Sequence, residues 1–301
     1  MKNELLTVVS CAIPQESVDA LFELLDADAF TPTSWFDVEA QQCRVDVFLE
    51  DASQASRVAD TLIATAALLG LTLKPETGTL ARADWAEAWK RFFHVEKISD
   101  RIVVRPSWEA YDAKPGECVI TLDPGLSFGT GKHATTQSCL RFLDRLSHRM
   151  ERIDTNDCIR VNSCHSMTVL DMGCGSGILA IGAALLGFTD VRGFDNDPDC
   201  KTVSEENAAA NNVRIPFEID DLSHAHPPAD IVIANILAPV LIQFAPQIVG
   251  SMTPSPHARL ILSGILDEQY EAVKTAFEAQ GLVECENMLI ENWRSGLFAH
   301  G

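Results

Sequence analysis

The stretch Val169-Leu-Asp-Met-Gly-Cys-Gly-Ser-Gly177 decides the fold of this 301-residue chain. Its first residues read as a buried strand, which runs into a turn that contains Gly173, Gly175 and Gly177. The apolar run Ile178–Leu186 then predicts a helix. Glycine reaches positive φ and lets the backbone approach a ligand closely, and the free N–H groups of a helix start attract anionic groups. The stretch therefore predicts a nucleotide site between a strand and a helix.

A second motif, Gly193-Phe-Asp-Asn-Asp-Pro198, ends the next predicted strand with Asp195, eighteen residues after Gly177. In nucleotide-binding α/β folds a carboxylate at this place accepts hydrogen bonds from ribose hydroxyls. A dinucleotide fingerprint needs its third glycine at position 178, which is Ile178 here, so the spacing argues against a dehydrogenase. The G-x-G-x-G spacing looks like the S-adenosylmethionine site of a class I methyltransferase. A nucleotide-binding scaffold without turnover stays open as the alternative.

Composition limits the class of protein. The chain is 47% hydrophobic, enough for one large core and a smaller second one, and carries a net charge of −20. That excess of acid argues against direct binding of nucleic acid, which relies on clustered Lys and Arg. No apolar run is long enough to cross a bilayer, no signal-peptide pattern opens the chain, and the nine cysteines never form a C-x-x-C pair. We therefore expect a cytoplasmic protein with reduced thiols, no membrane partner and no metal site.

Residues 1–80 form a first predicted domain with an uneven share of the charge, because they hold 13 Asp and Glu against 4 Lys and Arg. This balance suits a docking module for a basic protein, and it equally suits a small, well-solvated domain. The predicted elements follow the βαββαβ order of a ferredoxin-like fold. They are strands at Leu5–Cys11, Ser34–Glu39, Cys43–Glu50 and Leu71–Lys74, and helices at Pro14–Leu25 and Ala52–Leu69, the second capped by Asp51.

Residues 81–100 are interpreted as a linker helix, centred on residues 84–93, and residues 101–301 as the catalytic domain. Strands are predicted at 102–105, 117–122, 168–171, 191–195, 214–219, 230–234 and 258–263, with a closing hairpin inside 282–299 whose turn lies near Asn292–Gly296. Alternation of strand and helix implies a mostly parallel sheet with helices on both faces. The closing antiparallel hairpin is what a class I methyltransferase adds to this Rossmann-like plan. A polar surface loop is expected at Ser147–Met167.

The glycine-rich stretch Leu122-Asp-Pro-Gly-Leu-Ser-Phe-Gly-Thr-Gly-Lys-His-Ala-Thr-Thr136 superficially resembles a phosphate loop. That motif, G-x-x-x-x-G-K-S/T, needs a glycine where this chain has Leu126 and a hydroxyl residue where it has His133. Hydrolysis of ATP or GTP is therefore not expected. His133 is open to interpretation as a base or, more simply, as a positioning or surface residue.

Thr135 and Thr136 stand instead at the start of a helix that we expect to run to about Leu146. Hydroxyls and free N–H groups at a helix start can hold a carboxylate, such as that of a methionine moiety. Phe128, in the same loop, would shield a reactive methyl group or simply pack. All three residues are predicted to contact the cofactor.

A third segment, Asp230-Ile-Val-Ile-Ala-Asn-Ile-Leu-Ala238, places Asn235 at the carboxyl edge of the sheet, beside the expected cofactor sulfonium. The Asn235 side-chain carbonyl and the backbone carbonyls of Ile236 and Leu237 can accept hydrogen bonds from an amine and direct its lone pair toward the methyl group. Capping of a helix that begins near Pro239 is a compatible second role. We predict that residues 235–237 are catalytic through placement of the amine, without a dedicated general base.

Together these motifs resemble the PrmA family of ribosomal-protein methyltransferases, closely over about residues 82–270 and only loosely before them. The motifs that carry the resemblance are DPGLSFGTGKHATT, VLDMGCGSGILAIGAALLG, GFDNDP, DIVIANILAPVL, LILSGIL and the junction DWAEAWKRFF with VVRPSWE. The resemblance implies that S-adenosyl-L-methionine methylates lysine ε-amines and an N-terminal α-amine of a basic large-subunit ribosomal protein. It maps the cofactor-binding positions of the family onto Thr136, Gly173, Asp195 and Asn235, to which the motif itself adds Asp171.

Two departures from the family pattern concern the substrate. Lys132 and Ala134 replace the Thr and Pro expected in GTGTHPTT, and the stretch 147–167 is longer than the usual connection. A lysine methyltransferase with another protein target therefore stays open, as does a regulator that binds S-adenosylmethionine without turnover.

Overall fold

The structure is a computed structural model that describes residues 5–25, 30, 32–37, 42–81, 93–123, 131, 133–153 and 167–301. The chain divides into two compact units, residues 1–92 and 93–301. The linker helix predicted for residues 84–93 lies, except for its last residue, outside the described residues. Within the ranges given above, no helix has the length and apolar character needed to cross a membrane.

The N-terminal unit is a four-stranded antiparallel sheet with two helices. Its elements are β1 (Leu5–Ile13), α1 (Val18–Leu24), β2 (Pro32–Asp37), β3 (Gln42–Leu49), α2 (Ala55–Leu68) and β4 (Glu76–Ala81). The strand order β2-β3-β1-β4, with every pair antiparallel, confirms the ferredoxin-like βαββαβ fold. Alternate residues of β3, Val45 and Val47 among them, enter the core with Val58 and Leu62 of α2. Asp51 caps the turn before α2, because its carboxylate accepts a hydrogen bond from Ser53 N at 2.9 Å.

The last strand of this unit is not at Leu71–Lys74, as predicted, but at Glu76–Ala81. Leu73 is buried in the core, which explains the apolar signal, but Pro75 follows closely and has no N–H to donate to a ladder. Pairing with β1 therefore begins only after the proline, with Glu76 opposite Ser10, and ends with Ala81 opposite Leu5.

The second unit contains a three-stranded sheet and a seven-stranded sheet. The three-stranded sheet has β5 (Glu96–Lys97), β6 (Ile102–Arg105) and β7 (Cys118–Thr121). The larger sheet has β8 (Thr168–Met172), β9 (Asp190–Asp195), β10 (Phe217–Ile219), β11 (Ile231–Asn235), β12 (Arg259–Leu266), β13 (Leu282–Ile290) and β14 (Trp293–His300). Its order is β10-β9-β8-β11-β12-β14-β13, parallel except for β14, which is antiparallel to both its neighbours. This arrangement confirms the class I, Rossmann-like plan.

Helices cover both faces of the seven-stranded sheet. They are α3 (Ala134–Ile153), α4 (Ile178–Leu185), α5 (Pro198–Ala210), α6 (Ala238–Gln243), α7 (Ala245–Gly250) and α8 (Tyr270–Glu278). In β11, Ile231 and Ile233 join one core cluster while Val232 and Ala234 join the other. A strand buried on both faces is why this segment reads as a continuous apolar run.

Helix α3 is longer than predicted, because it continues past Leu146 to Ile153, so the first part of the expected 147–167 loop is helical. Ser147 looks like a loop residue by composition, yet it is fully buried and its hydroxyl bonds to the Asp144 carbonyl one turn back, at 2.8 Å. Arg101 ties this turn to the unit, because its guanidinium contacts the Asp144 carboxylate at 2.8 Å and the Ser147 hydroxyl. Residues 154–166 lie outside the described residues.

The closing hairpin is confirmed, and its turn consists of Glu291 and Asn292, so of the predicted range Asn292–Gly296 only the first residue belongs to the turn. Glu291 adopts the positive φ of 55° that the tight turn needs. Gly296 lies inside β14, where a Cβ atom would overlap the Tyr270 hydroxyl. The glycine that suggested a turn is therefore required by packing.

Candidate active site

A cavity of about 470 Å³ opens at the carboxyl edge of the parallel strands, where β8, β9 and β11 end. Cofactor pockets commonly occupy roughly 300–1,000 Å³, and in open α/β sheets they lie at this edge. Six of the predicted site residues line it: Thr136, Gly173, Gly175, Asp195, Asn235 and Ile236. The topology thus brings together residues from four separate motifs.

The glycine turn after β8 has the backbone conformation that its sequence predicts. Gly173, Gly175 and Gly177 have φ values of 69°, 51° and 77°, a region in which other residues are strained. Gly173 and Gly175 face the cavity. Gly177 instead precedes α4 and allows close packing, because a Cβ atom there would lie 2.9 Å from Ser204 Cβ.

Asp195 is the last residue of β9, and its carboxylate joins two loops at the cavity wall. Oδ2 accepts a hydrogen bond from Gly175 N at 2.9 Å, and Oδ1 accepts one from Asp197 N at 3.1 Å. Asp197 in turn caps α5 by accepting from Asp199 N at 2.9 Å, with Pro198 as the first helical residue. A carboxylate has about four lone-pair sites, so two remain for a ligand that carries hydroxyl donors.

Thr136 is completely buried, and its hydroxyl has no hydrogen-bond partner within the described part of the chain. A buried polar atom without a partner costs stability unless a ligand satisfies it. Thr135, also predicted to bind cofactor, is placed differently. Its hydroxyl lies 2.7 Å from His133 Nδ1, and its carbonyl accepts a hydrogen bond from Ser263 Oγ at 3.2 Å. His133 packs edge-on against Trp293, with ring centroids 4.9 Å apart.

Asn235 ends β11 and offers the second unsatisfied atom of the cavity, because its buried Oδ1 has no partner among the described residues. Ile236 lines the cavity beside it. The Leu237 side chain is exposed, and its carbonyl accepts hydrogen bonds from Val240 N and Leu241 N, both at 3.0 Å. That carbonyl therefore starts α6, which leaves Ile236 as the better placed of the two predicted backbone acceptors.

Asp171 lies beneath the glycine turn, fully buried, and does not reach the cavity wall. Its Oδ2 accepts a hydrogen bond from Ala180 N at 3.2 Å, which fixes α4 to β8, while Oδ1 has no partner among the described residues. Burial raises the pKa of the Asp171 carboxyl to about 7, and the nearby charge of Asp195 adds to the increase. Phe128 lies outside the described residues.

Gly264, in β12, is a site residue that was not predicted. Its φ is 80°, and a Cβ atom there would lie 2.5 Å from the backbone oxygen of Ile236. An isolated glycine inside a strand pattern, as in Leu260-Ile-Leu-Ser-Gly-Ile265, indicates a bulge or a close backbone approach, so the signal was present.

Comparison with known proteins identifies the family. The family model described as ribosomal protein L11 methyltransferase (PrmA) matches residues 9–299. A protein of that name from Syntrophotalea carbinolica is 39% identical over 249 residues, covering 81% of this chain and 76% of its own. Another from Geotalea daltonii is 33% identical over 318 residues, covering 98% and 96%.

A solved structure agrees with these sequence matches. The crystal structure of a ribosomal protein L11 methylase from Lactobacillus delbrueckii subsp. bulgaricus is 31% identical and matches with a TM-score of 0.57, covering 69% of this chain and 99% of that one. The chain belongs to the ribosomal protein L11 methyltransferase (PrmA) family and is an S-adenosylmethionine-dependent protein methyltransferase.

Proposed function

We propose that this protein methylates ribosomal protein L11, at lysine ε-amines and at the N-terminal α-amine. The observation that carries the proposal is a pair of buried oxygens, Thr136 Oγ1 and Asn235 Oδ1, which have no hydrogen-bond partner among the residues that the structure describes and line one cavity with Asp195. The names of the relatives at 33–39% identity support the choice of substrate.

The residues of the cavity fit S-adenosylmethionine. Asp195 has lone pairs for ribose hydroxyls, Gly173 leaves room for close approach, and the Thr136 hydroxyl and the N-terminus of α3 suit the methionine carboxylate. When bound, the cofactor supplies an electrophilic methyl group on a sulfonium.

Asn235 and Ile236 are assigned to the acceptor amine. A free lysine has a pKa of about 10.4, so its amine must lose a proton before it can act as a nucleophile. A neutral amide oxygen accepts a hydrogen bond from the amine, but it stabilises the charged ammonium form less than a carboxylate would. Desolvation in the cavity favours the neutral amine further, so placement of the lone pair is the main contribution of these residues.

The acidic N-terminal unit is assigned to substrate recognition, with residues 101–301 as the catalytic domain. Residues 1–80 carry a net charge of −9, and a basic ribosomal protein in the cytoplasm would be attracted to such a surface. Attraction of this kind weakens as salt is added, because the Debye length falls from about 10 Å at 0.1 M to about 3 Å at 1 M. We expect KM for the protein substrate to rise with ionic strength while the affinity for the cofactor changes little.

Intact-mass spectrometry of unmethylated ribosomal protein L11, incubated with the enzyme and S-adenosylmethionine, tests the proposal. We expect successive mass gains of one methylene equivalent each, and peptide mapping that places them on lysines and the N-terminal amine. Asn235→Ala serves as the matched control, because it keeps the fold and the cofactor contacts of Asp195. No mass gain, with cofactor binding intact by calorimetry, would contradict L11 as the substrate and favour another protein target.

A further inference from the structure

Two glycines enclose Ile236, one directly after β8 and one in β12, the two strands that flank β11. A Cβ atom on Gly173, after β8, would lie 2.7 Å from Ile236 Cγ2. One on Gly264, in β12, would lie 2.5, 2.9 and 3.0 Å from the backbone O, C and N of the same residue. Both glycines have positive φ, 69° and 80°. Gly173 therefore leaves room for the side chain of Ile236, and Gly264 leaves room for its backbone.

The strand register explains why Gly264 lies at this place. Asn235 pairs with Ser263, so the residues that follow them lie side by side at the end of the ladder. The pairing of β12 with β14 shifts between Leu262 and Ile265, which makes Gly264 part of a bulge. Glycine destabilises the interior of a strand, and a bulge changes the direction of the chain. Because bulges are common next to active sites, a functional role is expected for Gly264.

We propose that Gly264 is a positioning residue for the methyl-accepting amine. By leaving the Cβ volume empty, it gives the Ile236 peptide room to lie directly after Asn235, whose side-chain oxygen and neighbour Ile236 belong to the cavity wall. The inference rests on the proposed function, because it takes Asn235 and Ile236 as the groups that contact the amine.

Ser263 determines whether β12 or the Ile236 peptide must move if a side chain is added at position 264. Its hydroxyl is fully buried, lies 2.7 Å from Ser295 Oγ and donates to the Thr135 carbonyl at 3.2 Å. These bonds hold β12 to β14 and to the start of α3. A side chain at position 264 would therefore displace the Ile236 peptide and leave β12 in place.

The test compares Gly264→Ala with Gly281→Ala. Gly281 has a matching φ of 85°, but a Cβ atom there meets no described residue within 4 Å, so the control carries the backbone strain without the collision. For Gly264→Ala we expect kcat for methylation of L11 to fall about 10²-fold, with cofactor Kd unchanged, because misplacement of a reacting group by about 1 Å costs that much. Gly281→Ala should keep kcat. Equal kcat in the two variants, or a parallel loss of cofactor affinity in Gly264→Ala, would overturn the inference.

Hydrogen exchange gives a readout that does not depend on the substrate. Amides of residues 235–238 should exchange faster in Gly264→Ala than in Gly281→Ala, and equal protection would overturn the inference even if the wild-type enzyme failed to methylate L11.

If Gly264→Ala does not fold, Ser263→Ala tests the position of β12 against Ile236 without added volume, since it releases β12 from Ser295 and from the Thr135 carbonyl. It should lower kcat, and an unchanged kcat together with unchanged exchange at 235–238 would count against the proposal.

Discussion

The carboxylate of Asp195 accepts a hydrogen bond from the backbone N–H of Gly175 at 2.9 Å, so the two motifs that predict the cofactor site are joined directly. The acid that is expected to hold ribose also holds the glycine turn in shape. Its second oxygen accepts from Asp197 N, which extends the connection to the start of α5. Substitutions of Asp195 should therefore affect both ligand contacts and the loop that forms the cavity wall.

Asp195→Ala should weaken the binding of S-adenosylmethionine by about 10- to 100-fold, because a hydrogen bond to a charged group contributes about 1.5–3 kcal/mol. Asp195→Asn should fall between this variant and wild type, since its amide oxygen can still accept from Gly175 N but its NH2 group cannot accept from a hydroxyl. Isothermal calorimetry measures both. Undiminished affinity in Asp195→Ala would mean that the cofactor site lies elsewhere.

Asn235→Ala should lower kcat by about 10²-fold while cofactor Kd rises only a few-fold, because the cofactor keeps Asp195 and Thr136 whereas the amine loses its acceptor. Asn235→Asp gives a sharper result. A carboxylate favours the ammonium form, raises the pKa of the bound lysine and should shift the pH–rate profile to higher pH. Initial rates over a pH series measure the shift, and a profile that overlays wild type would exclude contact between residue 235 and the amine.

The sequence predicted the residues whose roles depend on their immediate neighbours in the chain. Gly173, Gly175 and Gly177 need positive φ at a strand–helix turn, and Asp195 follows a strand at a set distance, so both signals are local. Gly264 was missed because its role depends on Ile236, which only the β11–β12 register brings beside it.

The predictions were wrong where a glycine or a polar residue, usually typical of turns and loops, is buried inside a strand or helix. Gly296 indicated a turn but lies in a strand against Tyr270, and Ser147 indicated a loop but lies buried in α3. In each case a contact distant in sequence, which composition does not show, decides the local structure.

Asp171 should make the stability of the protein depend on pH. Its pKa is about 7 in the folded state, against about 3.9 for a free aspartate, so the folded protein holds a proton that the unfolded chain has released between these values. The contribution of Asp171 to stability should therefore fall as pH rises from about 4 to about 7, by at most about 1.4 kcal/mol per pH unit, and then level off.

Asp171→Asn removes this titration while its amide oxygen can still accept from Ala180 N. Urea unfolding of both proteins at several pH values between about 5 and 8 measures the effect. The variant should gain stability relative to wild type as pH approaches 7. Parallel stability curves would show that Asp171 is ionised throughout the range.

Gly182→Ala should have two opposing effects on the stability of the protein. Gly182 lies inside α4, where alanine is favoured over glycine by about 1 kcal/mol. A Cβ atom there would, however, lie 2.6 Å from Leu140 Cδ2 of α3, and Leu140 is fully buried. Overpacking of a tight core costs about 1–3 kcal/mol, so we expect a net loss of stability of about 1 kcal/mol.

Gly250→Ala is the matched control, because Gly250 ends α7 and a Cβ atom there has no neighbour within 4 Å in the described part of the chain. It should be neutral or stabilise by up to about 1 kcal/mol, and urea midpoints at unchanged m-values compare the two variants. Thr136, in the first turn of α3, and Ile178, the first residue of α4, both line the cavity. Pushing the two helices apart should therefore also weaken cofactor binding in Gly182→Ala but not in Gly250→Ala. A Gly182→Ala variant as stable as Gly250→Ala would show that Leu140 can move aside, and an unchanged cofactor affinity would show that the contact between α3 and α4 does not hold the cavity in shape.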